Sequence, residues 1–421
     1  MTIRLPRGQR AQLGPWRFVL SFGLVSLLAD MVYEGARSVI GPYLATLGAS
    51  ATVVGLAAGA GEFIGYGLRV VSGYLVARAQ HYWAWTIVGY ALTVLSVPLL
   101  GATTSLVPAL LLYGAERLGK AVRSPAKDTL LSHASTRTGR GAAFGVHQAM
   151  DQFGAMLGPL VLAAILARSD GNYRLAFGAL VVPGILVLAV LAWLRLRVPD
   201  PLAYEAPPPP EVPAPGEKPV DVAASPPAAR LALPTRFWEY VAAIAMVSCG
   251  IASFPLLAYH AQTTGLLTTA QVPLVFALAM LVDGLTGPVV GRLYDRRGPR
   301  VLLVVPVAAC AAAVAFTDSA WLVWVGIGIW GVVNGVLDST VKAAVTELIA
   351  PRARSVAFGW LALVRGVGLL VAGGLLGAAY DRSVGLVVVL IVAANAAALV
   401  SLRRAIGPLS ARPTPPAAPR P

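Results

Sequence analysis

The chain has 421 residues, 57% of them hydrophobic and only 12% charged, with a mean hydropathy of +0.73. A soluble chain carries roughly 25% charged residues, so this much apolar surface excludes a water-soluble fold and must face lipid. Lys and Arg outnumber Asp and Glu by 33 to 19, a net charge of +14, yet the bases sit in short loops between apolar runs, which is the pattern of a membrane protein's cytoplasmic loops and not of a nucleic-acid surface.

The amino terminus, MTIRLPRGQRAQLGP, is basic and leads into an apolar run from Trp16. No small-residue cleavage site follows, and the run contains Asp30 and Glu34, so it is expected to remain as a first helix rather than to leave as a signal peptide. A helix needs about 20 apolar residues to cross the hydrocarbon core. On that criterion six spans are predicted near 16–45, 52–77, 83–102, 106–127, 141–167 and 174–194. Six more are predicted near 237–260, 270–292, 301–316, 321–346, 355–379 and 384–402. The expected fold is an all-α membrane protein of twelve transmembrane helices in two pseudo-symmetric six-helix halves, 16–197 and 236–404. A cytoplasmic segment, 1–15, precedes them. The proline density of 198–235 and 405–421 forbids regular helix, so these are expected to be a cytoplasmic linker and a disordered cytoplasmic tail.

Orientation follows from the bases. Arg78, the Lys127–Arg140 stretch, Arg195 to Arg236, Arg292 to Arg300, and Arg352 with Arg354 fall on one side with both termini. The opposite loops TLGASAT, GATTS, HAQTTGLLTTAQ and TDS have no Lys or Arg, and the other two contribute only Arg168, Arg174 and Arg382. Both termini are therefore expected in the cytoplasm, below a plasma or inner cell membrane. The halves are weakly alike. GAAFGVHQAMDQFGAMLGP at 141–159 aligns with SVAFGWLALVRGVGLLVAG at 355–373, which places Asp151 opposite Arg365. Such repeats are the sequence trace of halves that rock around a central site.

Ionisable groups inside hydrocarbon are expensive and usually face a bundle interior or a wet cavity. The third, sixth, ninth and twelfth spans have none within their cores, whereas the first, second, fourth, fifth, eighth, tenth and eleventh carry Asp30, Glu34, Arg37, Glu62, Arg69, Glu116, Arg117, Lys120, Asp151, Asp283, Asp338, Lys342 and Arg365. Every third helix is thus fit for lipid while the rest surround something polar. Asp30, Glu34 and Arg37 stand at i, i+4 and i+7 on one helix face, two acids beside one base, an arrangement that suits a proton carrier or, alternatively, a structural ion-pair network bracing the first, second and fourth spans. His147 and Asp151 form a second i, i+4 pair that can relay protons or, for the imidazole, simply brace helices. Arg365 cannot discharge and needs an anion, either a protein carboxylate such as Glu62 or the substrate itself. Asp338 and Lys342, also at i, i+4, read as a local salt bridge.

Catalytic constellations are missing, and Cys249 and Cys310 give neither a metal-ligand spacing nor a disulfide framework. No enzyme, cofactor or metal is expected. With no phosphate-cradling motif, uphill movement of a solute would have to draw on an ion gradient.

GRLYDRRGPR at 291–300 matches the loop signature G-x-x-x-D-R-x-G-x-R, and on it the chain resembles the major facilitator superfamily. The resemblance implies that Asp295, Arg296 and Arg300 latch the cytoplasmic side, with Gly291 allowing close helix approach. The copy between the second and third spans keeps Gly73 and Arg78 but has Ala77 in place of the acid. RLGKA at 117–121 and GAMLGP at 154–159 are similar to segments of that superfamily's drug/proton antiporters. Arg117 matches; Lys120 and Ala121 depart, as do Leu162 and Ala163 where a glycine pair should follow. Together these imply a monomeric, proton-coupled exporter of a small molecule working by alternating access in the bilayer. Asp30, Glu34, Arg37, Glu62, Arg117, His147, Asp151 and Arg365 are then its proton-coupling and substrate residues. A proton symporter working as an importer and a non-transporting membrane sensor or scaffold are the competing readings.

Overall fold

A computed structural model describes residues 13–136, 138–200, 204, 233–350 and 353–407. Most of the expected linker and amino-terminal segment, the tail beyond 407, and Arg352 lie outside the described residues. Fourteen α-helices are described: α1 Pro15–Thr46, α2 Ala51–Ala79, α3 Tyr82–Leu100, α4 Leu106–Ser135, α5 Arg140–Arg168, α6 Tyr173–Ala179, α7 Val181–Arg197, α8 Thr235–Cys249, α9 Phe254–Thr263, α10 Gln271–Arg297, α11 Val304–Ala312, α12 Ala320–Leu348, α13 Arg354–Tyr380 and α14 Val384–Ile406. The described regular structure is all helix.

Ten stretches are long and apolar enough to cross a membrane. Helix α4 is not among them although it has 30 residues; its charges exclude it, not its length. The 46-residue stretch Gln271–Phe316 holds both α10 and α11. Apolar side chains of α3 (Val88, Leu95), α7 (Val182, Ile185), α11 (Val304, Val307) and α14 (Val389, Val400) are exposed, as expected for the spans that carry no charge. The buried apolar residues form two clusters. One runs from Phe18 to Tyr204; the other runs from Phe237 to Ile406 and takes in Ala51 and Ala155.

Several helices differ from the sequence expectation, each for a local reason. The single span expected at 237–260 is broken into α8 and α9 at Gly250–Ser253, just before Pro255. A break in a membrane helix is tolerated where neighbours satisfy the freed backbone groups. Here Asn395 of α14 donates its amide to the Gly250 carbonyl at 2.8 Å, and the Trp330 indole of α12 donates to the Ala252 carbonyl at 2.9 Å. Pro183 lacks an N–H and its ring crowds the carbonyl of Ala179, so the sixth span divides into α6 and α7 at Leu180. Around α11 the chain winds as 3-10 turns at Gly298–Leu303 and Ala313–Phe316. Helix α4 continues to Ser135 rather than ending near 127, because Lys127 and Asp128 end the hydropathic run without breaking the helix.

Two helix contacts position the interior. Helix α5 lies directly on α1: a Cβ at Gly154 or Gly158 would strike the carbonyl of Leu27 or Met31. Small residues allow such close approach between membrane helices. In the same way Gly55 of α2 faces the backbone of Gly373 in α13.

Candidate solute and proton site

Between the two clusters lies a cavity of about 200 Å³, lined from α1, α2, α4, α5, α10 and α12. No residue of α3, α7, α11 or α14 lines it. Asp338 lines the cavity yet has 59% of its side chain exposed, so the cavity communicates with the end of the bundle where α10 finishes and α13 begins.

On the α1–α2–α4 wall the charges form a chain. Arg37 lies 3.4 Å from Glu34 and 3.1 Å from Glu62. Arg117 reaches the same Glu62 at 3.6 Å and Glu116 at 2.6 Å. Lys120 stands 4.0 Å from Glu34 with its ammonium 4.2 Å from the centre of the Tyr33 ring. The sequence expectation that Asp30, Glu34 and Arg37 share a face holds, but Asp30 is not part of this chain. It is 7% exposed, lines the cavity, and makes no hydrogen bond or ion pair within 4.0 Å with a described residue.

On α5, nearer the end where α10 finishes, Asp151 is held by Lys127 at 3.6 Å and by His147 at 3.6 Å. The His147 Nε2 also sits 3.1 Å from both Ser26 Oγ and Lys127 Nζ. His147 and Asp151 therefore do meet, as their spacing predicts, with Lys127 as a third member that sequence reading left out. Arg123 was missed as well. It is 3% exposed and stacks on Tyr90 at 4.3 Å and Tyr33 at 5.4 Å. Its signal was available in the sequence: a base only six residues past Arg117, inside the span predicted near 106–127.

Arg365 is paired, but not with Glu62. Its guanidinium donates to Asp338 at 3.3 Å and lies over Tyr66 at 5.3 Å. This also corrects the expected Asp338–Lys342 bridge: Asp338 bonds across to α13, and Lys342 is exposed. Glu62 is already committed to Arg37 and Arg117.

The two ends of the bundle differ. At the end where α1 finishes and α2 begins, Asp381 accepts from the backbone N–H of Ala51 at 3.0 Å, the N–H of Thr52 at 2.9 Å, and the Thr52 hydroxyl at 2.5 Å. Tyr173 donates to Gln262 at 3.0 Å nearby, and Gly41 of α1 lies against the backbone of Pro255 in α9. At the opposite end, Gly145 of α5 and Gly291 of α10 have nothing within 4 Å of the place a Cβ would occupy. The close approach expected at Gly291 is thus not made in this conformation. Asp295, Arg296 and Arg300 are exposed and have no ion pair with a described residue.

A bundle of membrane-length helices around a charged cavity, tied at one end, is the architecture of a solute carrier, and comparison with known proteins agrees. The family model of the Major Facilitator Superfamily matches residues 22–373 and 241–421. The chain belongs to that superfamily. It is 46% identical over 395 residues, 93% of this chain and 94% of the relative, to an uncharacterised protein of Mycobacterium tuberculosis. An uncharacterised MFS-type transporter of Methanocaldococcus jannaschii is 27% identical over 177 residues, 42% of this chain and 44% of that protein. Among solved structures, a mutant of the nucleoside transporter NupG superposes with a TM-score of 0.73 at 11% identity, covering 92% of this chain and 99% of that one. The peptide transporter POT, in complex with sulfate, gives 0.73 at 16% identity over 93% and 94%. These structural likenesses establish the fold alone.

Proposed function

We propose that the protein is a secondary active transporter that moves a small solute across the cell membrane by alternating access, coupled to protons and working as an exporter. It has twelve spans in two six-helix halves, counting α4 as one span and Gln271–Phe316 as two. The basic end of α10 faces the cytoplasm with both termini, so the described conformation is open inward and tied outward. One observation carries the reading. A 200 Å³ cavity lies between the two packed clusters, lined by acids and bases, and hydrocarbon tolerates such groups only beside water or a counter-charge. A scaffold has no use for such a conduit.

Asp30 supports the proton role because it faces the cavity with no hydrogen bond or ion pair within 4.0 Å among the described residues. Asp151, shared by Lys127 and His147, is a second candidate. Arg37 and Arg117 hold the remaining carboxylates in place. Export rests on the resemblance of GAMLGP at 154–159, whose Gly154 and Gly158 seat α5 on α1. The test is flux in proteoliposomes under an imposed pH gradient. The gradient is expected to drive solute in the wild type, and Asp30→Asn is expected to retain solute exchange while losing that drive. Transport indifferent to the gradient would exclude proton coupling.

A further inference from the structure

The cavity wall made by α10 and α12 differs in chemistry from the wall facing it. Its polar members are Asp283, Trp330, Asn334 and Asp338, the last three at i, i+4 and i+8 on one face of α12. The Trp330 N–H is consumed by the Ala252 carbonyl at 2.9 Å. Asn334 gives one amide N–H to the Trp330 carbonyl at 2.9 Å, which leaves its amide oxygen and one N–H free. Asp283 has no hydrogen bond and no ion pair within 4.0 Å among the described residues. Asp338 is bonded to Arg365 through one oxygen only. No base on this wall lines the cavity; Arg365 faces a smaller neighbouring space of about 50 Å³. The wall therefore presents carboxylates, an amide oxygen and an aromatic residue, with almost no free donor.

Across the cavity, Asp30 adds a second unpartnered carboxylate, 7% exposed. The facing bases Arg37, Arg117 and Lys120 already have acids within 4.0 Å, while Arg69 lies over Tyr66 at 5.5 Å with its Nε unbonded, on the side of the cavity away from α10 and α12. The α10–α12 wall, where acceptors outnumber donors, is left unsatisfied by an anion or a neutral acceptor. It is satisfied by a group with several N–H bonds and positive charge, and an indole beside it adds cation–π attraction. We propose that the transported solute carries a protonated amine and that Asp283, Asn334 and Trp330 form its binding site. This rests on the carrier reading above and narrows it to a substrate class. Asp283, marked by the sequence as an intramembrane charge but not as a substrate residue, becomes the principal contact.

Thermal unfolding of the purified full-length protein in detergent tests this with three probes that share one ring and differ in head group: phenethylammonium, 3-phenylpropionate and 2-phenylethanol. The ammonium probe is expected to raise the midpoint and the other two to leave it unchanged. Asp283→Asn is expected to weaken the apparent affinity about ten-fold or more, Asp283→Glu to keep most of it, and Asn334→Leu to lower it severalfold even if Asp283→Asn fails to fold. Three results would overturn the site: no ammonium shift at tens of millimolar, an equal shift by the alcohol or the carboxylate, or undiminished affinity in Asp283→Asn. An ammonium-specific shift without flux in proteoliposomes would keep the site and sink the carrier. Proton-driven flux of anions or neutral solutes alone would do the reverse.

Discussion

Arg117 shows what a buried ion pair does at the scale of one side chain. It is 1% exposed, and Glu116, 2% exposed, has no other ion-pair partner among the described residues. Removing one member of a buried pair strands the other charge, at a cost of about 3–5 kcal/mol, whereas replacing both by apolar groups of similar size is often neutral. Arg117→Met is therefore expected to lower the thermal midpoint of the purified protein sharply, and Glu116→Leu added to it to recover most of the loss. A double variant no better than the single one would mean that Arg117 is held by Glu62 instead. Which residues carry charge inside the membrane was legible in the sequence, because an Asp or Arg in an apolar run stands out. Their partners were not. The i, i+4 spacing of Asp338 and Lys342 suggested a pair within one helix, but the rotation of α12 against α13 aims Asp338 at Arg365. Nothing in a single chain's spacing fixes that rotation.

Helix ends carry the next level of information, and Asp381 is the instructive case. Loop acids attract little notice in a membrane sequence, so this one was not singled out. The first N–H groups of any helix lack intrahelical partners, and Asp381, directly after α13, supplies acceptors to those of Ala51 and Thr52 at the start of α2. Burial alone would raise its carboxyl, but the hydrogen bonds from Thr52 and Ala51 outweigh it and hold it below the usual carboxylate range. The contribution of this cap is thus complete above about pH 4, the ordinary Asp value, and is lost only as pH falls through the lowered native value. Asp381→Asn is expected to lower the unfolding midpoint equally at pH 5 and pH 8. A deficit that grows between those values would show that Asp381 titrates there and would remove it as a fixed cap. The break between α8 and α9 was half legible: Pro255 marks it, but the Asn395 and Trp330 donors that make it tolerable come from residues 145 and 78 positions away.

At the scale of the whole molecule, the asymmetry between the ends is the functional content. Helices α2 and α13 meet through glycine backbones, α1 and α9 through Gly41 and Pro255, and Asp381 ties the same end. If the halves rock around the central cavity, these contacts must part for the opposite opening, while the freely exposed Asp295, Arg296 and Arg300 come together. A covalent tie at the first end should then stop the cycle with the described conformation trapped. Thr52→Cys with Asp381→Cys, in a background where Cys249 and Cys310 are replaced, puts two thiols where a hydroxyl and a carboxylate now touch. Oxidation is expected to abolish proteoliposome flux and reductant to restore it. Labelling of a third cysteine at Gly291 or Gly145, both open to 4 Å, should persist in the oxidised protein. Flux that survives a verified cross-link would mean that this end never opens, and the cavity would then be a vestibule with a single mouth, unable to deliver solute across a bilayer.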